Sequence, residues 1–177
     1  MILTIKFKRH LEVKDTLLEM IASTPSGNIL EGEDKIQNTD WYHQQGQPKA
    51  YWNFVGPIIF EELRPIITEK LLPDSWSIKN AWFQQYETKD THSWHVHPGS
   101  FYNAVYYVEL PEDGPSTQMQ MPITREVITP QVTEGDIIIF PAVYRHRSAP
   151  NESKNRKTII SFNINANEVV SRSGAGW

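Results

Sequence analysis

The stretch whose reading decides the fold is residues 91–110, THSWHVHPGSFYNAVYYVEL. It sets His95 and His97 two apart, closes a first segment with Pro98-Gly99, and then runs into aromatic and β-branched residues that suit a strand. Side chains alternate between the faces of a strand, so His95 and His97 share one face and Val96 turns to the other. Two imidazoles on one face can grip one metal ion. Histidines on polar strand faces also commonly bind nothing, so this pair alone leaves both readings open.

Residues 134–146, EGDIIIFPAVYRH, strengthen the metal reading. Glu134-Gly135-Asp136 reads as a turn, Ile137 to Phe140 as a buried strand and Pro141 as its end. His146 follows a short loop, placed to supply a third ligand from a separate strand. Three ligands on one side of an ion leave its other positions open for chemistry.

The chain has 177 residues, enough for one domain with a substantial core. Its formal net charge of -4, with Lys and Arg scattered, argues against a broad nucleic-acid surface but not against a nucleotide substrate. Cysteine is absent, which excludes disulfide frameworks, thiolate metal sites and cysteine nucleophiles, so any metal must sit on His and carboxylate. The opening MILTIKFKRH lacks the apolar run of a signal peptide, and no stretch approaches the roughly 18 apolar residues of a membrane span. A soluble, cytoplasmic protein without a membrane partner is expected.

From the N-terminus, Ile2 to Lys8 alternates as an opening strand, and Val13 to Ala22 carries Leu17, Leu18 and Ile21 on one helical face. Residues 26–49 are polar and read as a loop, either binding or covering a site. Trp41 within it reads as a packing residue that tacks the loop down, with substrate contact as the lesser alternative. A second helix is expected from Phe54 to Leu72, entered through Gly56-Pro57, bent at Pro65 and stopped by Pro73. Trp76 to Glu87 reads as a strand with Ile78, Trp82, Gln84 and Tyr86 on one face. Further strands are expected at residues 103–110, 118–121, 126–132, 137–140, 146–148 and 157–164, separated by turn signals. Many short strands after two helices argue for a mainly β sandwich or barrel with flanking helices.

The last informative piece is RKTIISFNI, residues 156–164, which sets Arg156 and Thr158 on one face of a strand soon after His146. A guanidinium with a neighbouring hydroxyl suits a carboxylate in a dry pocket, so Arg156 is a candidate anion clamp; the alternative is a surface arginine of a charged loop.

Together, HVHPGSFYNAVYYVELP from His95, EGDIIIFP from Glu134 with His146 behind it, and RKTIISFNI from Arg156 resemble the Fe(II)- and 2-oxoglutarate-dependent oxygenases. More narrowly, the chain is similar to the small prolyl-hydroxylase-like oxygenases of phages and bacteria. The resemblance runs from about Trp76 to the end and, more loosely, takes in Thr39-Asp40-Trp41. It implies a double-stranded β-helix, a jelly roll of the cupin type, with residues 1–177 as one domain. Residues 1–75 would form helical support and loops, and residues 76–177 the β-helix core.

The resemblance also implies roles. His95 and His146 match the two histidines of the family, and His97 stands where most members carry a carboxylate. The three would hold Fe(II), while Arg156, Thr158 and Tyr86 would hold the far carboxylate of 2-oxoglutarate. Molecular oxygen and an unidentified small-molecule or peptide substrate would complete the reaction, with hydroxylation and release of succinate and CO2. Three neutral imidazoles leave both charges of the ion unbalanced, so His97 either ligates or only orients the site with water in its place. Asp90 and His92 are weaker candidates, read as solvated loop residues. Two other readings stay open: a cupin-type three-histidine metalloenzyme without 2-oxoglutarate, which lacks the glutamate expected after the histidine pair, and a non-catalytic β-sandwich module.

Overall fold

The computed structural model describes residues 1–43, 47–71 and 75–166. Among them are α1 (His10–Ala22), α2 (Ala50–Lys70) and eleven strands: β1 (Leu3–Lys6), β2 (Gly27–Glu31), β3 (Asp34–Thr39), β4 (Trp76–Tyr86), β5 (His92–His95), β6 (Tyr102–Glu109), β7 (Thr117–Gln120), β8 (Val127–Ile128), β9 (Asp136–Pro141), β10 (Arg145–Ser148) and β11 (Lys157–Ala166). Seven strands form one sheet in the order β1-β9-β6-β11-β4-β3-β2, and four form a second in the order β5-β10-β7-β8. All pairings between these strands are antiparallel. Two antiparallel sheets with helices on one side make the jelly roll, mainly β with flanking helices, that the sequence leads one to expect.

β6 and β11 lie at the centre of the larger sheet and are buried along almost their whole length, because both faces of that sheet are covered. On the outer face, Phe83, Ala104, Tyr106, Ile160, Phe162 and Ile164 meet the two helices. α1 presents His10, Val13, Leu17 and Ile21, and α2 presents Tyr51, Val55, Ile59, Leu63 and Ile67; both sets recur at three or four residues and form one stripe. On the inner face, Tyr86, Val105, Tyr107, Ile138, Phe140 and Ile159 meet Met119 of the smaller sheet. Full burial of each such side chain contributes about 1.5–3 kcal/mol, so these two layers dominate the stability of the scaffold.

Four expectations are corrected. Residues 26–49 are not simply a loop: β2 and β3 pair as a hairpin, Glu31 opposite Asp34, with Gly32 in the left-handed region at φ 59°. Ile29 and Ile36 are its only buried aliphatic side chains, with the polar Thr39 buried at its end, so its polar sequence hides the alternation that marks a strand. α2 starts at Ala50 and runs through Gly56, Pro57 and Pro65. Both prolines are exposed, as are Asn53 and Glu61, whose carbonyls lose a helical partner and can turn to water instead. Gly56 is required within the helix because the Trp52 indole lies where a Cβ would stand, 2.9 Å away. Ile78 does not share a face with Trp82, Gln84 and Tyr86. β4 bulges between Ala81 and Ile78, opposite Phe162 and Ile164, which turns Ile78 to the helix side. Asp90 and His92 are not solvated: Asp90 is buried and its Oδ2 accepts from the Glu87 backbone N–H at 2.9 Å, while His92 lies in β5. The helix stop at Leu72-Pro73 and the part of the β-helix core beyond residue 166 lie outside the described residues.

Asp40 ties the layers together. It is fully buried and accepts from the Tyr51 hydroxyl at 2.8 Å, the Phe83 backbone N–H at 3.0 Å and Lys49 Nζ at 2.7 Å. The chain leaving β3 is thereby fastened to α2 and to β4. Removing one partner of a buried ion pair costs about 3–5 kcal/mol. Asp40→Ala is therefore expected to lower Tm by roughly 6–20 °C in a thermal melt, at the ~2–4 °C per kcal/mol of a domain this size. An unchanged Tm would show that these bonds carry no net stability.

Candidate metal centre

The smaller sheet is built around a cross-strand pair: His95 at the end of β5 is the direct partner of His146 on β10. Their ring centroids lie 4.2 Å apart. His97 reaches the same place from just beyond the end of β5, its ring 5.0 Å from His95 and 5.1 Å from His146. One ligand nitrogen from each of the three can be chosen so that all lie within 4.8 Å of one another.

Local bonds decide which nitrogen each ring offers. His95 Nδ1 is 2.7 Å from the Ser93 carbonyl, and His146 Nδ1 is 3.1 Å from the Tyr144 carbonyl. A carbonyl only accepts, so both Nδ1 atoms carry the proton and both Nε2 atoms keep a free lone pair. A backbone acceptor behind a ligating histidine is the usual way its ring is oriented for a metal. Burial first, and then the neighbouring imidazoles, keep these rings neutral: His97 is pushed down to about 4, His146 to about 2, and His95 is also lowered by burial. Neutral imidazoles with convergent lone pairs fit a divalent transition-metal ion such as Fe(II).

A fourth histidine lies behind the three. The His92 ring stacks on His95 at 3.8 Å, and its Nδ1 is 3.2 Å from Gln84 Nε2. Asp34 Oδ2 stands 3.9 Å from His92 Nε2, and Asp34 Oδ1 accepts from the Ser93 N–H at 2.6 Å. A carboxylate thus sits behind the trio, not within it.

Arg156 and Thr158 share a face, as strand periodicity requires, but that face is turned away from the histidines. Arg156 is 41% exposed and forms a two-pronged pair with Glu109, Nε to Oε2 at 2.9 Å and a terminal nitrogen to Oε1 at 3.1 Å. Thr158 also donates to Glu109 and accepts from Gln85 Nε2. The expectation that Arg156 and Thr158 meet an acid beside the metal ligands is therefore corrected.

The residue between them, Lys157, points inward. It is wholly buried; its Nζ donates to Ser148 Oγ at 2.9 Å and to the Pro115 carbonyl at 2.8 Å, and it lies 5.1 Å over the Tyr86 ring. Tyr86 is buried, and its hydroxyl pairs with that of Ser148. Ser148 stands two residues beyond His146 on β10, so it shares a face with that histidine. Burial lowers the Lys157 ammonium to about 7, with no carboxylate among the described residues offsetting it. The sequence holds one sign of this: in β11, Lys157 is in phase with Ile159, opposite to Arg156 and Thr158. Apolar residues on both faces of that strand conceal which phase looks inward.

Trp41 and Trp82 pack edge to face at 4.6 Å, and their rings lie 6.0 Å and 5.1 Å from His97. The same two tryptophans wall a cleft of about 370 Å³ with Trp52, Lys49 and Lys79. Trp41 therefore serves both as a packing residue and as a wall beside the candidate centre.

No protein-family profile and no curated protein matches the sequence. Solved structures do resemble it. A 2OG-Fe(II) oxygenase family oxidoreductase from Burkholderia pseudomallei superposes with a TM-score of 0.75 at 11% identity, over 93% of this chain and 85% of that one. The viral collagen prolyl hydroxylase of Paramecium Bursaria Chlorella virus-1, in its 2OG complex, gives 0.60 at 16% identity over 94% and 96%. The epimerase SnoN, in complex with Fe3+, alpha ketoglutarate and nogalamycin RO, gives 0.70 at 13% identity over 93% and 78%. A hydroxylase and an epimerase on one scaffold show that the scaffold does not determine the reaction. Across nearly its whole length, then, the chain has the fold of the 2OG-Fe(II) oxygenases, prolyl hydroxylases among them.

Proposed function

We infer that this protein is an Fe(II)- and 2-oxoglutarate-dependent oxygenase that hydroxylates a substrate and releases succinate and CO2. The observation that carries the inference is the meeting of three neutral histidines with a buried, uncompensated lysine on the inner side of one jelly roll. His95, His97 and His146 are the metal ligands in this reading, with His97 in place of a carboxylate. When bound, the iron supplies the redox chemistry that couples O2 to decarboxylation of the keto acid and oxygenation of a C–H bond.

The chain's own part is binding and orientation. Lys157 holds the far carboxylate of 2-oxoglutarate by the one N–H that Ser148 and Pro115 leave unspent, with Tyr86 beneath the ammonium. The acid restores a counter-charge to a buried cation, which a surface arginine already paired with Glu109 does not need. His92 and Asp34 brace His95 from behind and bring negative charge near a site whose ligands are all neutral. Trp41 and Trp82 shield the His97 side from water. A cupin-type site without a keto acid would give Lys157 no purpose.

Four outcomes are expected. Anaerobic titration with Fe(II) should show one ion per chain, and His146→Ala should abolish binding; unchanged metal content in that variant would remove the metal assignment. Calorimetry on Fe(II)-loaded protein should show Lys157→Met weakening 2-oxoglutarate by about 2–5 kcal/mol, as for loss of one member of a buried charge pair, with Arg156→Ala near wild type. The reverse ranking would return the clamp to Arg156. Finally, 2-oxoglutarate binding should weaken as pH rises above about 7, because the free lysine loses its proton there. Stability of the ligand-free protein should move the other way. The unfolded lysine, at 10.5, keeps its proton between pH 7 and about 10 while the folded one does not, so stability rises across that window. A flat profile in either measurement would place Lys157 outside the site.

A further inference from the structure

The inner face of the larger sheet carries a second polar feature that the metal centre and Lys157 leave unused. Asn103 on β6 and Asn163 on β11 are direct cross-strand partners. Val105 and Tyr107 on the first strand, and Ile159 on the second, belong to the layer between the sheets, so alternation carries both asparagines to that same side. The pair lies beside the histidines. On its other flank Asn103 is paired with Phe140, whose ring is 5.0 Å from His146. The Ser100 hydroxyl lies 3.2 Å from Asn103 Oδ1 and 3.3 Å from the His97 carbonyl.

Both side chains are nearly excluded from solvent, Asn103 at 3% and Asn163 at 7% exposure. Yet Asn103 Nδ2 and Asn163 Oδ1 have no hydrogen-bond partner among the described residues. Buried polar atoms in native proteins are almost always satisfied, and leucine has nearly the same shape without the polar cost. A donor and an acceptor left unspent on adjacent strands beside a candidate metal centre are what a ligand would complete.

We propose that Asn103 and Asn163 form a specificity subsite for a neutral amide of the substrate, whose carbonyl accepts from Asn103 Nδ2 and whose N–H donates to Asn163 Oδ1. A carboxylate would set its lone pairs against Asn163 Oδ1, and an ammonium would set its protons against Asn103 Nδ2; an amide satisfies both. The place of this subsite in a reaction rests on the oxygenase reading, but amide binding itself does not.

The test uses the full chain, 15N-labelled, loaded with Zn(II) and 2-oxoglutarate and, separately, free of both. N-methylacetamide is titrated with acetate and acetone as controls, following the side-chain amide resonances that disappear in Asn103→Leu and Asn163→Leu. N-methylacetamide is expected to shift both resonances to saturation, acetate and acetone at least tenfold less effectively. Each leucine variant should weaken the amide at least tenfold and melt at or above the wild-type temperature. Equal shifts from amide and acetone, unchanged amide affinity in the variants, or variants that melt below wild type because the two side chains bond each other or a trapped water, would each overturn the proposal. Amide binding that persists in protein unable to take metal and 2-oxoglutarate would support the subsite while removing the oxygenase reading.

Discussion

The pairing of β5 with β10 is the constraint on which the rest of the structure depends. By setting His95 directly opposite His146, it brings two imidazoles far apart in the chain to 4.2 Å. His97 then needs only two further residues to join them. β7 holds the other side of β10 in register, so His146 stands between two strands and cannot drift independently. The centre of the larger sheet, β6 and β11, is buried on both faces and provides the rigid floor against which this small sheet is placed. A site on paired strands keeps its geometry better than one on loops, and the bonds from Ser93 and Tyr144 remove the remaining freedom of ring flip.

Charge arranges the other half of the interior. Two cations stand next to each other in sequence at the start of β11, and their surroundings give them opposite roles. Arg156 is half in water and satisfied by Glu109, an interaction of the kind worth about 0–1 kcal/mol. Lys157 is taken wholly out of water with no counter-charge among the described residues, a cost of several kcal/mol even after relaxation. Only the second leaves free energy that an acidic ligand can recover on binding. The same logic applies to the histidines: burial keeps them neutral, and neutrality is the state a metal needs.

Much of this was legible in the sequence. The spacing of His95 and His97, the turn at Glu134-Gly135-Asp136 and the buried run before His146 identify the strands that meet, and the structure brings those three rings together. What stayed hidden follows from physics that a single strand does not display. β11 is apolar on both faces, so alternation names its two faces without saying which looks inward, and the sequence points to Arg156 where the structure turns Lys157 inward. The β2–β3 hairpin buries only two aliphatic side chains and reads as loop. Gly56-Pro57 looks like a helix entrance, yet both sit inside α2, because solvent accepts the orphaned carbonyl and Trp52 fills the glycine's missing side chain. Asn103 and Asn163 carry no signal until β6 and β11 are laid side by side.

The most direct measurement is an anomalous diffraction map at the iron edge from crystals prepared without oxygen and soaked in Fe(II) and 2-oxoglutarate. One peak is expected among Nε2 of His95, Nε2 of His146 and the His97 ring, with the distal carboxylate of the keto acid on Lys157 Nζ. A peak elsewhere, or a carboxylate seated on Arg156, would contradict it.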